Sequence, residues 1–273
     1  MVISSSLVNV FLFKPPPSRP YDFPTIELTT ARGQKIAATY VRRRGANVTL
    51  LFSHGNAEDL NSSYWYMERI AKTCDVNVMC YDYTGYGSCN ESDPSEEDCY
   101  ADIDAAYEWL LSEKNLVPEQ IVLYGRSLGS GPSVYLANRT SRQGRPVAGL
   151  ILHSPFTSVY RVVFDMGFTM LGDKFSNIDR ISELDCKVFI VHGQEDTIVP
   201  CEHGQALFSL VPDKMKAEPF FVKGMGHNGF DFHLEVMLMN RINAFLDYHI
   251  LARRLWMKGM NTRKGSKRRR SLG

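Results

Sequence analysis

Ser127, Asp196 and His227 are the residues whose types and order in the chain suit nucleophilic catalysis. A serine hydroxyl is a weak nucleophile near pH 7, so it needs a histidine as base and a carboxylate that orients this histidine. Ser127 lies in the sequence Gly125-Arg-Ser-Leu-Gly129, and serine, carboxylate, histidine is a known order of such triads. The sequence therefore predicts acyl transfer through a covalent intermediate on Ser127.

The surroundings of Ser127 predict a strand, a sharp turn and a helix. A short apolar run, 121–124, precedes the motif and a helix-like segment follows it. In such a turn Ser127 takes a strained backbone conformation, with its hydroxyl at the carboxyl end of a sheet. Gly125 and Gly129 suit positions where strand and helix pass too close for a side chain. The alternative is a chance G-x-S-x-G in an ordinary loop.

Two backbone amides are the predicted donors to an oxyanion. The Leu128 amide follows the nucleophile at the positive end of the next helix. The Asn56 amide follows the buried strand predicted over 49–53, in the turn His54-Gly-Asn-Ala57. An ordinary strand-to-helix turn is the alternative interpretation of that segment.

The acid and the base each have competitors in the sequence. Asp196 competes with its neighbour Glu195, and Asp196 is preferred because the loop through Pro200 places it at the turn. Its alternative role is a helix cap, which is compatible with catalysis. His227 follows the last predicted strand, whereas the other histidines end strands or lie in helical segments: His54, His153, His192, His203, His233 and His249.

Alternating strand and helix patterns from about 48 to 250 predict an α/β fold with a mostly parallel, doubly wound sheet. The predicted organisation has four parts. They are an N-terminal segment with a proline-rich spacer (1–24), one hydrolase domain (25–250), a short lid within it (about 155–186) and a basic, disordered tail (251–273). Four aromatic residues of the lid are expected to be exposed: Phe156, Phe164, Phe168 and Phe175.

The composition narrows the functional class. The six cysteines are scattered without C-x-x-C pairs, so they predict reduced thiols in an intracellular, cytoplasmic protein. No histidine and cysteine pattern suits a metal, and no cofactor is expected. The last 23 residues carry nine Lys or Arg and no acid, whereas the first 250 carry 22 basic and 30 acidic residues. An acidic globule therefore ends in a basic tail.

At several motifs the chain resembles the α/β-hydrolase-domain-17 family of serine hydrolases. The matching stretches are Ser53-His-Gly-Asn-Ala57, Tyr81-Asp-Tyr-Thr-Gly-Tyr-Gly87, Tyr100-Ala-Asp-Ile-Asp-Ala-Ala106, Leu123-Tyr-Gly-Arg-Ser127, Leu152-His-Ser-Pro155, His192-Gly-Gln-Glu-Asp196 and Gly226-His-Asn228. The similarity covers roughly 48–248, and the stretch from Tyr100 to Ala106 is its most specific part. The resemblance implies the α/β-hydrolase fold with Ser127, Asp196 and His227 as triad.

The resemblance also implies a substrate, a palmitoyl thioester on a cysteine of a membrane-bound protein. Two alternatives remain. One is a carboxylesterase or lysolipid-type lipase of the same fold, and the other is a catalytically silent fold kept as a membrane or protein-binding module. Members of the family carry a palmitoylated N-terminal cysteine cluster, whereas the first cysteine here is Cys74. That anchor is missing from this sequence.

Two segments are candidates for membrane contact in place of that cluster. The basic tail suits peripheral binding to an anionic plasma or endosomal membrane, because each Lys or Arg near it contributes about 1 kcal/mol. A solvated tail or a nuclear or nucleic-acid signal in 267–270 is the alternative, and no nucleic-acid partner is expected. The apolar residues Val8, Val10 and Phe11–Phe13 are either an interfacial anchor or an edge segment packed on the sheet.

Overall fold

The computed structural model describes residues 9, 12–88, 92–164, 173–228 and 231–251, with only the backbone of 163 and 164. The chain divides into two compact units, Met1–Phe230 and Asp231–Gly273. Several predictions lie outside the described residues: those on Val8, Val10, Phe11 and Phe168, on the side chain of Phe164, and on the basic tail beyond Leu251. The predicted domain limits and the lid stay predictions.

In the described part of the first unit, eight strands form one sheet. They are β1 (Ile26–Thr29), β2 (Lys35–Val41), β3 (Thr49–Ser53), β4 (Asn77–Tyr81), β5 (Ile121–Arg126), β6 (Gly149–His153), β7 (Lys187–Gly193) and β8 (Phe220–Val222). Their order is β1-β2-β4-β3-β5-β6-β7-β8. β2 pairs antiparallel with β1 and β4, and β4, β3, β5, β6, β7 and β8 pair parallel. The mostly parallel sheet is as predicted, and β1 and β2 form a hairpin at its edge.

The crossover helices cover the two faces of the sheet, which explains why its central strands are buried. Five α-helices belong to the described part of this unit: α1 (Leu60–Cys74), α2 (Glu96–Ser112), α3 (Ser130–Arg142), α4 (Val159–Phe164) and α5 (Cys201–Leu210). From β3 the chain crosses through α1 to β4 on one side and returns through α2 to β5 on the other. Right-handed crossovers in opposite directions put α1 and α2 on opposite faces. Every residue of β3, β4 and β6 is accordingly buried.

Side-chain caps set the starts of two helices. α1 begins after Asp59, whose side chain accepts a hydrogen bond from the Ser62 amide. The Ser62 hydroxyl lies 2.8 Å from the Asp59 amide and completes a capping box. α2 begins after Ser95, whose hydroxyl accepts from the Asp98 amide.

The aromatic residues Phe156 and Phe175 correct the prediction that the segment after β6 carries exposed aromatics. Phe156 is 5% exposed and Phe175 is fully buried. Phe175 contacts the rings of Phe13, Tyr100 and Phe156 edge-to-face, with centroids 5.6–6.4 Å apart. Their sequence neighbours are polar, so the local pattern gave no sign of this cluster, which forms between distant segments.

Phe13 bears on the two interpretations of the N-terminal apolar run. It is 4% exposed and packs on Tyr86 and Phe175. A ring buried in the core is unavailable for insertion in a membrane, so at this residue packing on the core is the observed outcome. The structure describes no helix long and apolar enough to cross a membrane in the ranges given above.

The described part of the second unit is an α-helix that continues as a π-helical turn. α6 (Phe232–Phe245) begins after Asp231, whose carboxylate accepts from the Leu234 amide at 2.8 Å. Its end passes into a π-helical turn, Leu246–Leu251. This matches the helix predicted over 230–250.

Candidate active site

Ser127 occupies the strained turn that the motif predicts. Its φ is 50°, in the left-handed region, where β5 ends and a short 3₁₀ turn, Ser127–Gly129, leads into α3. A Cβ added at Gly129 would overlap the Ser53 carbonyl, and one at Gly125 would overlap the Gly129 carbonyl. Both glycines are therefore required by close backbone approach.

The structure brings the three predicted triad residues into one hydrogen-bonded line. His227 Nε2 lies 3.0 Å from Ser127 Oγ, and His227 Nδ1 lies 2.7 Å from Asp196 Oδ2. The residues follow the carboxyl ends of the parallel strands β5, β7 and β8, so their loops lie on the same side of the sheet. This arrangement can transfer a proton from the serine hydroxyl to the imidazole.

Asp196 is built to remain ionised. Its Oδ1 accepts hydrogen bonds from the amides of Ile198 and Val199, at 3.0 and 2.8 Å. Burial raises the pKa of Asp196, but hydrogen bonds from His192, His227 and the Val199 amide outweigh burial and hold it well below its usual range. Its competitor Glu195 is exposed.

Asp196 is not the N-cap of the helix that follows it, which was the alternative role predicted for it. The N-cap of α5 is Pro200, and the Asp196 carboxylate bonds loop amides before the helix begins. A second histidine also contacts this carboxylate, with His192 Nε2 3.3 Å from Asp196 Oδ2 and 2.8 Å from the Val199 carbonyl. His192 thus fixes the Asp196 loop, in keeping with its expected place at a strand end.

Asn56 and Leu128, whose backbone amides are the two predicted oxyanion donors, line the same groove as Ser127. They come from the loops that follow the adjacent strands β3 and β5. Leu128 lies in the first turn of a helix, where amides have no partner within the helix. The loop of Asn56 is restrained by a hydrogen bond in which the Gly55 amide donates to Glu58 Oε2 at 2.8 Å.

A tyrosine loop, Asp82–Gly87, supports the Asn56 loop. The Tyr83 hydroxyl donates to the His54 carbonyl and the Tyr86 hydroxyl donates to Asn56 Oδ1, both at 2.7 Å. This loop is fixed in turn by Asp102, whose carboxylate accepts from the amide and hydroxyl of Thr84, each at 2.8 Å. The motif Tyr100–Ala106 thus acts on the site through Asp102, outside the groove.

Arg126 joins three loops of the site. Its guanidinium pairs with Glu58 of the Asn56 loop and donates to the His227 carbonyl at 3.2 Å and to Asn228 Oδ1 at 2.8 Å. Burial lowers the pKa of Arg126, and the charge of Asp196 opposes that shift. Its position next to Ser127 was visible in the sequence, but its partners are about a hundred residues away or in the loop that follows β3.

The groove at Ser127 has a volume of about 290 Å³ and is open on one side. Its apolar lining comes from four segments: Leu12, Leu128, Phe156, Val159, Val162, Ile198 and Val199. Phe175 is not among the residues that line it. Sequence reasoning missed Arg126, Tyr83, Tyr86, Asp102 and His192 as parts of the site; the motifs of the resemblance contain all five.

The comparisons with known proteins agree with this geometry. The model of the alpha/beta hydrolase family matches residues 50–180. Alpha/beta hydrolase domain-containing protein 17B of Xenopus tropicalis is 41% identical over 224 residues, which cover 81% of this chain and 74% of that protein. The protein of the same name from Homo sapiens is 39% identical, with the same coverage. This chain belongs to the α/β-hydrolase-domain-17 family.

A solved structure extends the comparison to the fold. An esterase from Pyrococcus furiosus superposes with a TM-score of 0.65 at 17% identity, covering 87% of this chain and all of that one. At that identity the likeness establishes the α/β-hydrolase fold alone. Membership of the α/β-hydrolase-domain-17 family indicates that this chain is a hydrolase. The solved structure confirms the predicted fold.

Asp102 gives a test of the support beneath the site. Burial raises its pKa to about 8, although the hydrogen bonds from Thr84 oppose that shift. Between about pH 4 and pH 8, the folded protein therefore keeps the Asp102 proton that the unfolded chain has lost. The stability that this difference in pKa contributes is fully present below about pH 4 and is lost as the pH rises through 8. We expect Asp102→Asn to remove a downward slope of up to about 1.4 kcal/mol per pH unit in this range.

Urea unfolding of both proteins at pH values from 5 to 9 measures this slope. The wild-type curve should fall relative to the variant curve as pH increases. Parallel curves would show that Asp102 is ionised in the folded protein throughout.

Proposed function

We propose that this hydrolase cleaves thioesters or esters through an acyl-enzyme on Ser127. The observation that carries the proposal is the single imidazole of His227 placed between Ser127 Oγ and Asp196 Oδ2, at 3.0 and 2.7 Å. Asp196 accepts a hydrogen bond from His227 Nδ1–H, which leaves Nε2 without a proton and able to act as base. Hydrogen bonds that form only with the charged transition state accelerate the chemistry.

The proposed reaction has two halves. Ser127 Oγ attacks the acyl carbonyl carbon while its proton moves to His227 Nε2, and the oxyanion accepts hydrogen bonds from the Asn56 and Leu128 amides. The bond to the leaving thiolate or alkoxide then breaks, and this group takes the proton from His227. In the second half, His227 takes a proton from water as this water attacks the acyl carbonyl carbon. The bond between that carbon and Ser127 Oγ then breaks, Oγ regains its proton from His227, and the fatty acid is released.

A palmitoyl group on a protein cysteine is the substrate class we favour. The family resemblance suggests it, and the groove supports it in two ways. Its apolar walls suit an acyl chain, with Phe156, Val159 and Val162 on one side. Its open side leaves room for a protein that carries the acyl group. A carboxylesterase or lysolipase would use the same groove, and a silent binding module would have no use for the ordered triad.

Substitution of the triad tests the chemistry. We expect Ser127→Ala and His227→Ala each to lower kcat by about 10⁴-fold or more, with Asp196→Asn close behind, because the three act as a unit. Combining two of them should add little. The measurement is hydrolysis of a palmitoyl thioester, with circular dichroism as a check that the fold is intact.

A fluorophosphonate probe separates this proposal from the silent module. Wild type should be labelled and Ser127→Ala should not. Labelling that is undiminished in Ser127→Ala, or absent from wild type, would contradict the assignment. Turnover of short oxyesters alone, with no thioester cleaved, would favour the esterase alternative.

The acyl groove gives a second prediction. We expect Val162→Trp to reduce kcat/KM for a palmitoyl thioester about 10-fold more than for a butyryl thioester, because the indole occupies the space of the distal methylenes. The matched control is Val117→Trp, at a 48% exposed valine just before the amino end of β5 and therefore at the other end of the strand from Ser127. Equal losses for both chain lengths in Val162→Trp would place the acyl chain elsewhere.

Binding to an anionic membrane is a separate part of the proposal. It is supported by the nine Lys or Arg residues after Leu251. Changing Lys267 and Arg268–Arg270 to glutamine should weaken binding to vesicles that contain phosphatidylserine, since about 1 kcal/mol per charge is lost. Turnover of a soluble ester should stay the same. Vesicle binding equal to that of wild type would exclude this role for the tail.

A further inference from the structure

Residues Leu12–Lys14, which we call the strap, are hydrogen-bonded to the Asn56 side chain. Asn56 Nδ2 donates to the Leu12 carbonyl at 2.6 Å, and the Lys14 amide donates to Asn56 Oδ1 at 2.9 Å. One side chain thus pairs with the backbone on both sides of Phe13. Asn56 Oδ1 also accepts from the Tyr86 hydroxyl at 2.7 Å, and the Lys14 amide lies 3.2 Å from the same hydroxyl.

The strap has a fixed position because Phe13 is part of the core. Its ring is 4% exposed and contacts Tyr86 and Phe175 edge-to-face, at centroid distances of 6.5 and 6.2 Å. Leu12 and Lys14, on either side, line the groove at Ser127. A segment that precedes the first strand therefore forms one wall of the groove.

The backbone next to Asn56 needs such restraint. Ala57 has a φ of 58°, a conformation that alanine rarely adopts and that persists only where neighbouring contacts impose it. The Ala57 amide lies 3.1 Å from Asn56 Oδ1, so the side chain held by the strap also bonds the strained residue. The Asn56 side chain thus links the strap to the strained backbone at Ala57.

We propose that the strap is a positioning element for the oxyanion donor of the site. By binding the Asn56 side chain, it holds the Asn56 peptide with its N–H toward the groove. This inference rests on the proposed function, in which that N–H binds the oxyanion. It assigns different roles to two parts of Asn56. The backbone N–H contacts the reacting atoms, and the side chain binds the strap and so holds that N–H in position.

Asn56→Ala in the full chain tests the strap, because it removes the side-chain bonds and keeps the backbone N–H. We expect kcat for a palmitoyl thioester to fall about 10- to 100-fold with KM changed less than about twofold, since a misplaced donor weakens the transition state more than substrate binding. The affinity for an alkyl boronic acid, whose tetrahedral adduct imitates the oxyanion, should fall by a similar factor. A merely structural role would not move that affinity in step with kcat.

The matched control is Asn61→Ala. Asn61 Nδ2 donates to the Arg19 carbonyl at 3.1 Å, so it also ties the N-terminal segment to the domain, but it does not line the groove. Its substitution should leave kcat and boronic acid affinity unchanged. If Asn56→Ala fails to fold, Tyr86→Phe, which removes the hydroxyl shared by Asn56 and Lys14, should lower kcat several-fold in the same way.

Two outcomes separate the inference from the proposed function. Wild type that hydrolyses thioesters, with Asn56→Ala or Tyr86→Phe equal to it in kcat and boronic acid affinity, would overturn the strap alone. Wild type that neither hydrolyses esters or thioesters nor reacts with a fluorophosphonate would overturn the proposed function and the strap with it.

Discussion

The site depends on one backbone constraint, the left-handed conformation of Ser127. A non-glycine residue held at a φ of 50° costs about 1–3 kcal/mol, so the surrounding structure must impose it. Here β3 and β5 pair in parallel with Ser53 opposite Gly125, and Gly129 packs directly on the Ser53 carbonyl. The start of α3 therefore packs against the end of β3. This close packing requires a sharp turn at Ser127 between β5 and α3.

The same constraint relates the two predicted donors. Because β3 and β5 are neighbours, the loops that follow them are adjacent at the carboxyl edge of the sheet. One loop carries Asn56 and the other carries Ser127 and Leu128. The ladder hydrogen bonds between β3 and β5 therefore fix the position of Asn56 relative to Ser127 and Leu128. Groups fixed in this way need no reorganisation during a reaction.

The strands and the triad were predictable because each rests on a local signal. Fully buried strands give continuous apolar runs, so β3, β5 and β7 were evident, and the glycines around Ser127 mark the turn. The choice of Asp196 over Glu195 followed from its place in the loop. Two supports of the site, Arg126 and Tyr86, had no local signal, because their partners come near only in the folded chain. The burial of Phe175 was missed for the same reason.

Buried charges at the rim of the groove show how its loops are held in place. Arg126 is 13% exposed and Glu58 25%, and desolvating two such groups costs free energy that their attraction alone need not recover. The guanidinium has further acceptors, the His227 carbonyl and Asn228 Oδ1, while the second Glu58 oxygen accepts from the Gly55 amide. These bonds satisfy the fork geometry of Arg126 in a way that a lysine could not reproduce. An apolar pair would cost less to bury, but it would leave the loops of Asn56 and His227 without a common partner. In a groove with an open side, such contacts at the rim hold the loops of Asn56 and His227 in place.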